Sequence, residues 1–69
     1  MATIEISGLL NAGPASQDDL NTWDAGFAVK GANRQSGPND HPIIYTSPGP
    51  MDADEASQIV GGDWAVNVS

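Results

Sequence analysis

Two cations, one histidine, one tyrosine and nine carboxylates make up the charged and titratable side chains of this 69-residue chain, which contains no cysteine. His41 stands between Asp40 and Pro42, and no serine sits in a nucleophile-elbow sequence, so the usual acyl-transfer triads lack parts. Carboxylates do fall in pairs, Asp18 with Asp19 and Asp52 with Asp54, the residue types a two-carboxylate hydrolase uses. A chain this short is poorly suited to enclosing a cleft where one acid is desolvated and kept protonated. The expectation is a protein that is not an enzyme. Lack of cysteine also removes a disulfide framework and any thiolate metal site. Asp52-Ala53-Asp54 opens like a calcium loop. Its fifth, sixth and twelfth positions are Ala56, Ser57 and Asp63, where such a loop needs an oxygen ligand, glycine and a bidentate glutamate. Neither a metal nor a cofactor is expected.

Charge narrows the partners. Lys30 and Arg34 are the only cations, and the net charge is −7. Phosphate neutralisation needs clustered Lys and Arg, so direct nucleic-acid binding is not expected. The carboxylates are scattered and form no long run, as on a solvated surface; an acidic protein of this kind also suits a basic partner. No apolar run approaches the roughly 20 residues that cross a bilayer, and Met1 to Leu10 lacks the pattern of a signal peptide. A soluble chain with no membrane partner is the expectation.

The elements that must position these groups are short. Ile, Leu, Val and Phe supply thirteen residues, which predicts a thin core and marginal stability. Thr3-Ile4-Glu5-Ile6-Ser7 alternates like a half-buried strand, with Ile4 and Ile6 inward. Leu9 and Leu10 end it, and Asn11 to Pro14 reads as a turn. Ser16 is a helix cap followed by acidic residues, Leu20, Trp23 and Phe27 form a narrow apolar face, and Gly26 is placed to stop the helix after about Ala25. Phe27-Ala28-Val29 then reads as a strand closed by Gly31. Residues 31 to 42 hold almost nothing that can be buried, which predicts a polar loop or contact arm. Ile43-Ile44-Tyr45-Thr46, between Pro42 and Pro48, is a strand near a sheet edge. Asp52 caps a second helix, Glu55 can close its capping box, Met51 stands as a staple and Gly61 stops it. Trp64, Val66 and Val68 then share one face of a closing strand, with Trp64 expected between that helix and the sheet.

The order strand, helix, strand, strand, helix, strand predicts an α+β fold, residues 1 to 69 as one small domain of the split βαβ kind. The competing picture is an irregular, mostly extended chain lying on a larger assembly. Met51 to Gly62, with Glu55, Ile59, Gly61 and Gly62 in place, resembles the double-glycine leaders of secreted peptide precursors, which a peptidase-containing transporter reads. Ala56 departs from that pattern, where those leaders place a large apolar residue. The resemblance implies cleavage after Gly62.

The expected function is structural: a small subunit of a larger assembly, such as a virion accessory protein of the capsid-cement or tail type, contacting a protein partner or identical subunits. Arg34, Trp23, Phe27, Tyr45 and Trp64 are the expected contact residues, being the types that anchor interfaces. An acidic inhibitor filling a basic site, as nucleic-acid mimics and anti-defence proteins do, is the alternative; a peptide precursor is a third.

Overall fold

The computed structural model describes residues 1–8, 15–36, 42–62 and 64–69. The elements run β1 (Ala2–Gly8), α1 (Gln17–Val29), β2 (Asn33–Arg34), β3 (Ile43–Ser47), α2 (Ala53–Val60) and β4 (Trp64–Val68). The strands form one antiparallel sheet in the order β2-β3-β1-β4. The chain is thus a small α+β domain with the strand order of a split βαβ arrangement, and the irregular alternative does not describe it. The expected turn over 11–14, Leu9 and Leu10, residues 37–41 with His41, and Asp63 lie outside the described residues.

Alternation decides which side of the sheet is buried. In β1, Ala2, Ile4 and Ile6 are buried while Thr3 and Glu5 are half-buried; in β3, Ile43, Tyr45 and Ser47 are buried while Ile44 and Thr46 are not. Ile4 lies opposite Tyr45 on one side and Val68 on the other, and Ile6 opposite Ile43 and Val66. These rows meet Leu20, Trp23 and Phe27 of α1 and Ala56 and Val60 of α2 in one apolar cluster. Phe27 and Tyr45 stack with centroids 4.3 Å apart. The Trp23 indole N–H donates to the Val60 carbonyl at 3.1 Å, satisfying an acceptor in the last turn of α2.

Both helix starts follow their sequence signals. The Asp19 N–H donates to Ser16 Oγ at 3.1 Å, and the Ser16 N–H donates to Asp19 Oδ2 at 3.3 Å, a closed capping box. In α2 the Asp54 N–H donates to Asp52 Oδ1 at 3.0 Å. Glu55 does not close a box as expected, because its carboxylate faces Lys30 Nζ at 3.8 Å instead. Gly61 ends α2 with φ of +97°, and Met51 packs against the core.

Three expectations are corrected between α1 and β2. Gly26 does not stop α1, which runs on to Val29. It lies against Ile59 of α2: a Cβ there would lie 2.7 Å from Ile59 Cγ2. Phe27-Ala28-Val29 is therefore the last turn of α1 and not a strand, and Gly31, at φ of +80°, follows it. The second strand is Asn33–Arg34, inside the stretch expected to be a loop, and Ala32 just before it is buried.

Candidate functional site

Among the described residues, polar and backbone groups are arranged differently at the two edges of the sheet. At the β2 edge, Arg34 donates from Nε to Asp24 Oδ1 at 3.1 Å, from Nη2 to Asp24 Oδ2 at 3.3 Å and from Nη1 to the Ser36 carbonyl at 3.3 Å. The Tyr45 hydroxyl donates to the same Asp24 Oδ1 at 2.5 Å. Asp24 sits on the outer flank of α1, so this clasp ties α1 to β2 and β3. It floors an open cleft of about 510 Å³ lined by Ala28, Asn33, Gln35 and Ser36 as well.

Burial pushes the Tyr45 hydroxyl well above the usual tyrosine range; its hydrogen bond to Asp24 and the Asp24 charge add to the rise, and Arg34 opposes it. Tyr45 is therefore a neutral donor at physiological pH. Arg34 is already neutralised by a fork-to-fork carboxylate, so among the described residues the cleft carries no free charge with which to grip an anion. Its chemistry is that of a structural clasp.

The β4 edge is different. Thr3 and Ser69 exchange both backbone hydrogen bonds, at 2.9 Å each. Antiparallel pairing alternates, so Asn67 and Ala65 also turn their amides and carbonyls toward β1, whereas Trp64, Val66 and Val68 turn theirs outward. The far side of the sheet follows the same phase: the Gln35 N–H donates to the Ile44 carbonyl at 2.7 Å, away from β1. Among the described residues the strand order has no neighbour beyond β4. Trp64, Val66 and Val68 are half-buried and pack against the core from this edge.

No family model, curated protein or solved structure matches the chain.

Of the expected contact residues, Trp23, Phe27 and Tyr45 are interior, with 2%, 0% and 1% of their surface exposed. Their rings build the core and present no contact surface; residue type alone does not separate an interface aromatic from a core one. Trp64 is half-buried and not enclosed as expected, because it stands on an edge strand with its ring edge-on to Trp23 at 5.0 Å and 86°. The bidentate carboxylate that suits Arg34 comes from Asp24 of the same chain, and the Arg34 side chain is 26% exposed. Of the residues that carry the leader resemblance, Ile59 packs on the core and Glu55 pairs with Lys30, while Gly61 and Gly62 are exposed; Ala56, which departs from it, is fully buried. Among the described residues no three His, Cys, Asp or Glu side chains gather as a metal site, and no helix is long and apolar enough to cross a membrane.

Sequence reasoning missed Asp24 and the outward set of β4. An outward backbone amide leaves no mark on residue type, and Asp24 read as one of several scattered acids.

Proposed function

We propose that this chain is a non-enzymatic structural subunit that works by protein contact within a larger assembly, a virion accessory protein of the cement or tail type being the concrete form. One observation supports this most: an edge strand, Trp64–Val68, with outward backbone groups and neither charge nor proline to blunt it. Strand addition to such an edge draws affinity from the main chain and specificity from alternate side chains. The polar clasp at the other edge supplies stiffness and no reactive group.

The test is fractionation of native lysate from source cells by sedimentation, followed by immunodetection. The chain should travel with an assembly far larger than its own 7.1 kDa and stay there in about 1 M salt, where exposed charge pairs are screened within about 3 Å. A chain that runs free at every salt concentration overturns the reading. Release by salt supports the acidic-inhibitor alternative, which is favoured by the carboxylates: among the described residues only Asp24 and Glu55 form ion pairs with the two cations.

A further inference from the structure

We infer that the contact partner of β4 is a second copy of this chain, paired antiparallel about a two-fold axis through Val66, so that two four-stranded sheets become one continuous sheet. This rests on the contact reading above and names its partner.

The backbone carries the first part. Trp64, Val66 and Val68 present outward N–H and C=O groups at every second position, and the set is symmetric about Val66. Turned through the two-fold, Val66 meets Val66 of the second copy, Trp64 meets Val68, and Val68 meets Trp64, each as a doubly hydrogen-bonded pair. No outward donor or acceptor in the strand is left over.

The side chains carry the second part. On the helix side, the self-register sets each Trp64 across from a Val68, an aromatic and β-branched pair of the kind that stabilises sheets, with Val66 against itself between them. On the open face it sets Ala65 across from Asn67. No charge lies within Trp64–Val68, so the contact places no like charges opposite each other, although each copy carries −7 overall. A basic partner would find no carboxylate in this strand to pair with. The carboxylates lie outside Trp64–Val68, Asp63 directly before it in sequence, and the repulsion they add between copies is weakened by salt. Two-fold pairing of like strands also closes on itself and uses up both edges, so it ends at the dimer.

The contact is small. A standard interface covers about 800 Å² per partner, a fifth of the 4054 Å² that this chain exposes, and a five-residue ladder covers less. The pairing therefore belongs to the weak class, seen at high local concentration.

Sedimentation equilibrium on the purified chain tests it, over roughly 0.01 to 1 mM protein and roughly 0.05 to 0.5 M salt. The average mass should climb from 7.1 kDa toward twice that, and the dimer share should rise with salt. Val66→Pro removes the central outward donor without touching the β1 ladder, and should raise the dimer Kd roughly tenfold or more. Should Val66→Pro fail to fold by circular dichroism, a chemically synthesised chain with N-methylvaline at position 66 keeps the side chain and removes the same donor. A chain that is monomeric throughout overturns the pairing, as does a dimer indifferent to N-methylation. If that monomer still travels with a large assembly from lysate, the edge takes a different strand and the contact reading survives; if it also runs free there, both fail.

Discussion

The two edges of the sheet solve the same physical problem in opposite ways. An edge strand leaves backbone groups unpaired and invites a further strand. At β2 the strand is cut to Asn33–Arg34, a side chain then replaces the backbone as the Ile44 N–H donates to Ser36 Oγ at 2.9 Å, and the Arg34–Asp24–Tyr45 clasp pins the edge to α1. At β4 five residues run without charge or proline. The first edge is closed by polar chemistry specific to this chain; on the proposed reading the second is the one that takes a further strand. Stiffness would then lie at one side of the sheet and contact at the other.

The sharpest way to break this comparison is to place proline at neighbouring positions of β4. The Ala65 amide points to β1, so Ala65→Pro deletes a ladder bond between β1 and β4 and should cost about 2–4 kcal/mol. A domain of 69 residues is held by roughly 0.05–0.15 kcal/mol per residue, so much of the folded population is lost. Val66→Pro points its missing donor outward and should cost at least about 1 kcal/mol less in urea unfolding, its loss coming from the trimmed side chain. Equal costs at the two positions would show that the outward assignment is wrong.

Arg34→Ala tests the closed edge. It leaves the Asp24 carboxylate part-buried with Tyr45 as its remaining partner, and removes a stem that lines the cleft. The loss should be about 2 kcal/mol, since charge-assisted bonds are worth more than neutral ones. Partial exposure of both groups keeps it below the cost of breaking a fully buried pair. Association through β4 should be unchanged once the comparison is made under folding conditions. Weakened association in a fully stable Arg34→Ala chain would move the contact to the β2 edge.

How much of this was legible beforehand depends on whether the cause was local. Ser16, Asp19, Asp52 and Gly61 act within a turn of their own helices, and the sequence placed three of the four helix ends closely. The inward pair Ile4 and Ile6 follows from alternation, which is also local. Gly26 misleads because its reason is tertiary: it is glycine to let Ile59 approach, not to end a helix. β2 is unreadable because its partner, β3, and not its own residues makes it a strand. The clasp joins residues 10 and 21 positions apart and has no periodicity to betray it. Gly26→Ala checks this account and bears on the open edge, since α2 packs behind β4. The gain in helix propensity is about 1 kcal/mol, overpacking against Ile59 costs about 1–3 kcal/mol, and the net loss should be about 1 kcal/mol. Adding Ile59→Ala should then cost less than the sum of the single changes in thermal unfolding.

The smallest effect expected concerns Tyr45, the single tyrosine of the chain. Near neutral pH, Tyr45→Phe removes one hydrogen bond to Asp24 while Arg34 still holds that carboxylate, so the cost should be about 1 kcal/mol or less. At alkaline pH the two chains should part in the other direction. The fold raises the Tyr45 pKa, chiefly through burial, whereas in the unfolded chain a tyrosine loses its proton near pH 10. Stability from the protonated hydroxyl is then fully present below about pH 10 and is lost as pH rises through the folded value, by up to about 1.4 kcal/mol per pH unit. Urea unfolding of wild type should weaken from about pH 10 upward, and Tyr45→Phe should lack that component, so the gap between them narrows and then reverses. No titratable side chain lies within Trp64–Val68, so the same titration should leave the β4 contact untouched while the fold holds. A gap between the two chains that stays constant through the alkaline range would mean that Tyr45 ionises freely in the fold and that the closed edge is not clasped by its hydroxyl.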